Sequence, residues 1–402
     1  MTRKDNRGRN LRTGESQRAD GRYDYRYTDK RTGKRVAIYS MDLAELREMV
    51  KEILKDQEDG IISTADVKKM DVNELFNRYM SIRKLDETTR ANYMAMWKYH
   101  VEDDLGKMKV VAVRPSHIKA LYAKMSNEGY ARSTIKYLHT MLLPAFGMAV
   151  EDDIIRKNPA VHTLGDYGRE AKEKEALSVE DQEAIFAFVE NGIYSNYLPL
   201  LQVMVGTAVR AGELIGLTWD DIDLANREVT IDHQLVYKNY GDGYKFHLKE
   251  PKTDAGVRTI PMTSTVKKAF LKQREYQMMI GIDRTVEVEG RKGFIFTTKN
   301  GTPIMPNALN NVLYNIVNAY NREELKAAQK QRRKEILMPS ISAHTLRHTG
   351  CTRMAESGFD PKVLQYIMGH SNIAVTMEVY NHITGKERIR KEFDRIDEIM
   401  AG

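Results

Sequence analysis

The sequence predicts a multidomain protein that is mainly α-helical and carries small β-sheets. From about residue 71 to residue 159, apolar side chains recur every three or four positions, which is typical of amphipathic helices. In two segments near the N-terminus and in a cluster at about 227–261, the type of side chain instead alternates from one residue to the next, as it does in β-strands. A length of 402 residues is more than one domain usually holds, so two or three domains are expected.

The first domain is predicted over residues 1–62 as a small sheet backed by one helix. Residues 23–27 alternate tyrosine with charged side chains, and residues 35–40 alternate again after a turn signal at Thr32-Gly33. Ser40 is placed to be the N-cap of the amphipathic helix that follows.

The positive charge of the chain is concentrated in this first segment. Residues 1–40 hold 12 Lys and Arg against 5 Asp and Glu, whereas the remaining residues are balanced, so the formal net charge of +7 arises here. A solvated basic tail is one explanation, but the tyrosine alternation favours a folded module whose β-ribbon enters a DNA major groove. The candidate DNA-contacting residues are Arg22, Tyr25, Arg26, Lys34 and Arg35.

The next two domains are predicted at 70–160 and 175–402, joined by a linker at 161–174. The first is a helical bundle, in which Pro115 opens one helix and Ser133 caps another. The linker carries glycines and a run of charges. Ser178 then opens a mixed domain whose strand cluster contains a turn at 239–243, and whose tail helix has apolar residues spaced three and four apart.

Several functional classes are excluded by what the sequence lacks. One cysteine, Cys351, excludes an internal disulfide and fits a reducing compartment. No apolar run follows the N-terminus, so no signal peptide is expected, and no stretch is long enough to span a membrane. There is no phosphate-binding glycine loop, dinucleotide fingerprint or carboxylate cluster for two magnesium ions. Phosphoryl chemistry would therefore depend on protein cations, with no metal or other cofactor.

A helix near residue 345 carries His344, Arg347 and His348. Two histidines four apart could bind a metal, but Thr345 stands where a zinc protease motif has glutamate. Arg347 would also repel a cation, so an anion site is favoured over a metal site. A buried structural role stays an alternative for His348.

Four other polar residues have an ordinary explanation beside a functional one. Arg210 leaves an apolar helix and shares a face with Glu213, which could orient the guanidinium or form a surface ion pair. Lys252 could be a solvated loop charge or deliver an ammonium from a hairpin tip. His370 follows a glycine at a helix end. Tyr380, ten residues further along the chain, could be an ordinary core or surface residue or an oxygen nucleophile.

Six polar side chains occur in an order that resembles the catalytic set of the tyrosine recombinases, the phage-type integrase family. They are Arg210, Lys252, His344, Arg347, His370 and Tyr380. The likeness extends over the whole chain and is strongest to integrases of conjugative transposons. It implies an arm-site DNA-binding domain, a core-binding bundle and a mixed α/β tyrosine-recombinase catalytic domain. One departure is Ala208, where the family usually has glycine.

The resemblance implies that Tyr380 attacks the scissile phosphate, forms a 3′-phosphotyrosine and frees a 5′-hydroxyl. Arg210 and Arg347 would bind the non-bridging oxygens, where charge accumulates in the transition state. The covalent bond stores the energy of the broken phosphodiester, so rejoining needs neither ATP nor a metal.

The other three members of the set would handle protons and the phosphate. By the same resemblance, Lys252 protonates the leaving 5′-oxygen, His344 exchanges a proton with the tyrosine, and His370 hydrogen-bonds the phosphate. A free tyrosine titrates near ~10, so at neutral pH it needs a base and a cation-rich pocket to act as a nucleophile.

The implied activity is site-specific excision and integration of a mobile element in the bacterial cytoplasm, at the nucleoid. The partners would be double-stranded DNA at element ends and target, and further copies of the chain, from dimer to tetramer, with the C-terminal helix packed in trans. Accessory excision and DNA-bending proteins would be additional partners, and no membrane is involved. Two alternatives stay open: a non-catalytic DNA-binding protein with a degenerate site, and a type IB topoisomerase-like relaxing enzyme.

Overall fold

The computed structural model describes residues 3–29, 33, 35–58, 69–170, 175–251, 253–383 and four positions of the tail, 393, 396, 397 and 400. It divides into two compact units, residues 1–172 and 173–402. The predicted fold class, mainly α with small β-sheets, is confirmed. The finer division into three domains and a linker stays a prediction.

The N-terminal module is a three-stranded antiparallel sheet covered by one helix. Its elements are β1 (Glu15–Gln17), β2 (Tyr23–Thr28), β3 (Arg35–Ser40) and α1 (Leu43–Glu58). Leu43 and Leu46 of α1 pack against Tyr23, so one face of the sheet is buried. The predicted cap is wrong. Asp42 accepts hydrogen bonds from the backbone N–H groups of Ala44 and Glu45, whereas the Ser40 hydroxyl donates to Glu45.

The helical bundle that follows has its own core of apolar side chains. Its helices are α2 (Val72–Ile82), α3 (Glu87–His100), α4 (Pro115–Asn127) and α5 (Arg132–Glu151). Pro115 is the first residue of α4, as predicted. Ser133 is not a cap, because α5 already begins at Arg132 after Ala131. The Arg132 backbone N–H donates instead to the carbonyl of Arg169, so a distant backbone group replaces the side-chain cap.

The described residues of the second unit form eight helices and five strands, most of which pack around a separate apolar core. Ser178 accepts a hydrogen bond from the Asp181 backbone N–H and caps the first helix, as predicted. The helices are α6 (Val179–Glu190), α7 (Leu198–Thr207), α8 (Ala211–Gly216), α9 (Ser264–Met279), α10 (Pro306–Gln331), α11 (Ala343–Glu356), α12 (Pro361–Met368) and α13 (Ile373–Ile383).

The strands of the second unit form two small antiparallel sheets, and four of the five strands lie in the predicted 227–261 cluster. One sheet has the order β4 (Ile222–Asp223), β5 (Glu228–Ile231), β8 (Arg258–Pro261). The other is a hairpin of β6 (Gln234–Asn239) and β7 (Tyr244–Lys249), joined at the predicted turn. Across the described residues, none of the helices combines the length and apolarity needed to span a membrane.

Two helix ends bring distant parts of the second unit together. Helix α7 ends at Ala208, which adopts a left-handed backbone with φ of 51°. Helix α12 ends at Gly369, also left-handed, with φ of 60°. Such turns expose backbone carbonyls that the helices no longer use, and these carbonyls become acceptors for side chains from elsewhere.

Candidate active site

Arg347 of α11 is buried where the two helix ends meet. Its Nη1 donates to the Ala208 carbonyl at 2.7 Å, and its Nη2 donates to the Met368 carbonyl at 2.7 Å. Burial, together with the positive charge of Arg210, lowers the pKa of Arg347 to about 9. The guanidinium is therefore still charged at neutral pH.

Arg210 reaches the same turn from the start of α8. Its Nη2 donates to the Gly369 carbonyl at 2.9 Å, the neighbour of the Met368 carbonyl that Arg347 uses. Unlike Arg347, the Arg210 side chain is 40% exposed and lines an open cavity of about 520 Å³. The two guanidiniums therefore bind adjacent carbonyls of one turn.

Glu213 lies between the arginines and is 4% exposed, so the pair with Arg210 is not a surface ion pair. Its Oε1 accepts from Arg210 Nη1 at 2.7 Å, and its Oε2 accepts from the Arg210 backbone N–H at 2.8 Å. Burial raises the pKa of this carboxyl, but the hydrogen bonds and charge of Arg258 and Arg210 outweigh burial and bring it to about 2. Glu213 is ionised and fixes the orientation of Arg210.

His370 completes the cluster from the turn after α12. Its Nε2 lies 3.1 Å from Arg347 Nη2 and its Nδ1 lies 3.0 Å from the Thr376 hydroxyl. A guanidinium can only donate, so Nε2 is the acceptor and the proton is assigned to Nδ1. Burial, then the charges of Arg347 and Arg210, lower the pKa of His370 to about 4, so it is neutral at pH 7.

Tyr380 of α13 lies in a buried cluster that includes Ala208 and Met368 of the same chain. Its hydroxyl donates to the carbonyl of Phe359, in the connection between α11 and α12. The predicted nucleophile thus lies in one cluster with Met368, whose carbonyl Arg347 binds, and its hydroxyl is bound to a backbone acceptor. His344 is exposed in the first turn of α11, one turn before Arg347.

Arg258 is a member of the site that the sequence analysis missed. Its Nη2 donates to Glu213 Oε2 at 2.8 Å, and its side chain is 0% exposed. The sequence contained a usable sign of this position. Arg258 and Ile260 are two residues apart on one strand, so their side chains point to the same face, which is buried. A charged residue at an inward-facing strand position is the kind of placement that marks a functional or structural ion pair.

The remaining catalytic candidate, Lys252, lies outside the described residues, as does Lys34 of the N-terminal set. In the N-terminal sheet, Arg26 and Arg35 are exposed, whereas Tyr25 packs partly against the core under α1. Arg22 is exposed, pairs with Asp20 at 2.7 Å, and lies over the ring of Tyr39. Tyr39, which was not among the predicted DNA-contacting residues, lies on the same face of the sheet as the exposed Arg26 and Arg35.

One group of potential metal ligands occurs among the described residues, formed by Asp221, Asp232 and His233. Arg291 already bridges the two carboxylates, with Nη1 3.0 Å from Asp221 and Nη2 2.8 Å from Asp232. His233 Nε2 also binds the Gly216 carbonyl at 2.8 Å. These contacts make the group a structural ion-pair network rather than a metal site.

Two protein families match this chain. Residues 175–387 match the phage integrase family, and residues 1–57 match the DNA-binding domain of Tn916 integrase. The transposase of transposon Tn916 from Enterococcus faecalis is 35% identical over 401 residues, covering 95% of this chain and 94% of the relative. The transposase of Tn1545 from Streptococcus pneumoniae has the same identity and coverage.

Solved structures show the same similarity. The Tn1549 transposon integrase in complex with circular intermediate DNA has a TM-score of 0.70 and 30% identity, covering 81% of this chain and 99% of that one. The same integrase with transposon right end DNA has a TM-score of 0.68 and 31% identity, covering 82% and 100%. A lambda integrase tetramer bound to a Holliday junction is 17% identical with a TM-score of 0.52, a likeness of fold.

Proposed function

The chain belongs to the phage integrase family of tyrosine recombinases, and we propose that Tyr380, Arg210 and Arg347 carry out its DNA cleavage. The reaction class is site-specific recombination that integrates and excises a conjugative transposon. The observation that carries the residue assignment is the convergence of two guanidiniums on the adjacent carbonyls of Met368 and Gly369.

The arginines supply the charge that the transition state requires. Arg210 faces the cavity and meets the phosphate first, while Arg347 holds the turn and keeps positive charge beneath it. Guanidinium forks match phosphate oxygens, and donors fixed before reaction stabilise developing charge without reorganising. Lys252 would donate the proton that the leaving 5′-oxygen needs, as its place in the family order implies.

Nucleophile delivery requires one contact to break. The Tyr380 hydroxyl must leave the Phe359 carbonyl before its oxygen can attack phosphorus. The attack forms the tyrosine O–P bond, breaks the bond from phosphorus to the 5′-oxygen, and transfers the phenol proton to a base. We assign that base to His344, one turn before Arg347 on α11.

His370 would change its protonation state when DNA binds. Its Nε2 now accepts from Arg347 and therefore cannot also donate to a phosphate oxygen. A bound phosphate places negative charge beside the ring, which raises the pKa of His370 from its low value. His370 then donates from Nε2 to the phosphate, and the neutral state is restored when the product leaves.

The N-terminal module would bind the arm sites of the element ends in double-stranded DNA. Arg22, Arg26 and Arg35 present exposed charge beside the Tyr39 ring, a mixture that suits phosphate contact and groove entry. In this proposal Tyr25 supports the sheet from its inner face. The bundle of α2 to α5 would bind the core sites beside the cleaved phosphate.

The active assembly would be a tetramer on two DNA duplexes, built from dimers, in the bacterial cytoplasm at the nucleoid. Phe393, Ile396 and Met400 of the tail are exposed in the isolated chain, at spacings that place them on one helical face. This face would pack on a neighbouring protomer. Accessory excision and DNA-bending proteins would select between excision and integration.

The residue assignment is tested with the full chain on a nicked suicide substrate that carries an element end. Tyr380→Phe should bind DNA like the unaltered protein and form no covalent adduct. Tyr366→Phe is the matched control, since Tyr366 is a nearby tyrosine that is 51% exposed. Adducts that persist with Tyr380→Phe, or vanish with Tyr366→Phe, would show that the nucleophile is misassigned.

A further inference from the structure

We propose that Arg258 is a positioning residue for DNA cleavage. Its guanidinium holds Glu213, which orients Arg210, and also holds the turn that presents His370. The proposal rests on the phosphate-binding roles proposed above for Arg210 and His370.

The burial of Arg258 means that its donors require partners within the protein. Arg258 opens β8 and pairs with Ile231 of β5, so its side chain points into the unit and is 0% exposed. Leaving guanidinium N–H groups without acceptors in such a place would be costly. The described acceptors are the Glu213 carboxylate and the carbonyls of Gly256 and Ile367.

Glu213 is held by Arg258 on one side and by Arg210 on the other. Arg258 contributes two of its hydrogen bonds, at 2.8 Å to Oε2 and at 3.3 Å to Oε1. Arg210 contributes the backbone and Nη1 bonds to the same two oxygens. Without Arg258 the carboxylate could rotate, and the cavity-facing guanidinium of Arg210 would rotate with it.

The turn before His370 rests directly on the Arg258 guanidinium. Arg258 Nε donates to the Ile367 carbonyl at 2.7 Å. A Cβ atom at Gly369 would lie 2.9 Å from Arg258 Nη1, closer than van der Waals contact permits, so this glycine allows the approach as well as the left-handed φ. The two carbonyls that follow Ile367 along the chain, those of Met368 and Gly369, are the ones that Arg347 and Arg210 bind.

The same guanidinium anchors the connection between β7 and β8. Its Nη1 donates to the Gly256 carbonyl at 2.8 Å. A Cβ atom at Gly256 would lie 2.3 Å from Pro251 Cβ, so these two residues are in close contact. Pro251 and Thr253 line the cavity with Arg210. Arg258 therefore holds the β7–β8 connection, which lies next to Arg210, as well as the turn that precedes His370.

The test compares Arg258→Lys, which keeps the charge and loses the planar fork, with Arg291→Lys as a matched control. Arg291 is likewise an arginine of the same unit that binds a buried carboxylate oxygen, but it bridges Asp221 and Asp232 and does not contact Glu213 in the described contacts. Both full-length variants are assayed for thermal unfolding, duplex binding and single-turnover adduct formation on the suicide substrate. Arg258→Lys should bind within about threefold of the unaltered protein and form adducts about 100-fold more slowly.

The control and a second variant separate positioning from loss of fold. Arg291→Lys should lower the unfolding temperature and leave the adduct rate within about threefold. If Arg258→Lys does not fold, Arg258→Gln, which keeps an N–H₂ group able to donate, is used in the same assay. An adduct rate for the folded Arg258 variant equal to that of Arg291→Lys would overturn the proposal.

A double-variant cycle tests whether Arg258 acts through Glu213. Because they would share one function, Arg258→Lys combined with Glu213→Gln should be no slower than the slower single variant. If the rate reductions of the two single variants multiplied in the double variant, Arg258 and Glu213 would act independently, which would contradict the proposal. Failure of the unaltered protein to form any adduct would instead contradict the proposed function, so the two failures are distinguishable.

Discussion

Replacing Glu213 with glutamine should destabilise the second unit in a way that depends on pH. The carboxylate accepts hydrogen bonds from Arg210 and Arg258 while buried, and glutamine would turn an N–H₂ group toward a guanidinium that can only donate. A fall of the Glu213 pKa from 4.5 to about 2 corresponds to about 3 kcal/mol of folding stability at neutral pH.

The size and pH window of the effect follow from this pKa. For a unit of this size, 1 kcal/mol changes the unfolding temperature by about 2–4 °C, so Glu213→Gln should unfold about 6–12 °C lower at pH 7. Because the folded-state pKa lies below the unfolded one, this stability is complete above pH 4.5 and is lost as the pH falls toward 2. The difference between variant and unaltered protein should shrink over that window.

Calorimetry of the full chain from pH 7 to pH 3 measures how far the variant lowers the unfolding temperature and how that difference changes with pH. Glu324→Gln is the control, since Glu324 also binds an arginine, Arg333, and has a pKa near 2, but belongs to a more exposed pair at the end of α10. Its effect should be smaller, because exposed pairs contribute little. Equal effects of the two variants, or a Glu213→Gln difference that does not change with pH, would refute the reasoning.

Three further predictions concern other parts of the chain. Ala208→Gly should keep stability within about 1 kcal/mol and retain cleavage, since glycine adopts φ of 51° freely, whereas Ala208→Val should lose about 2 kcal/mol or more and slow adduct formation. Deleting residues 1–60 should flatten the salt dependence of binding to one class of DNA site, because phosphate contacts are lost; an unchanged slope in binding titrations would contradict the arm-site role. Truncation after residue 385 should impair assembly on DNA, measured by sedimentation, more than it impairs folding, and normal strand exchange by the truncated chain would contradict packing in trans.

Local signals predicted the elements whose structure is decided by neighbouring residues. The alternation in β2 and β3, the Ser178 cap and the Gly369 helix end all depend on residues within a few positions. Local competition explains one failure, since Asp42 is a better placed cap than Ser40. Strand β1 was missed because three residues are too few to show a period.

Contacts between distant residues explain the other failures. The backbone bond from Arg132 to Arg169, which replaces the predicted Ser133 cap, joins positions 37 apart and leaves no local pattern. The order of the polar residues pointed to Arg210 and Arg347, but their carbonyl partners on a shared turn could be seen only in the fold. Arg258 carried a usable signal, because its strand parity with Ile260 marked it as buried.

The central claim is that one phosphate, held by Arg210 and Arg347, becomes joined to Tyr380. The most direct test is to trap the full chain on a suicide substrate, digest the adduct with trypsin, and locate the attached nucleotide by fragmentation in a mass spectrometer. The tryptic peptide 363–386 contains both Tyr366 and Tyr380, so fragmentation must distinguish them. We predict a 3′-phosphate linked to Tyr380. Attachment to Tyr366 or to another residue, or linkage through a 5′-phosphate, would contradict the account.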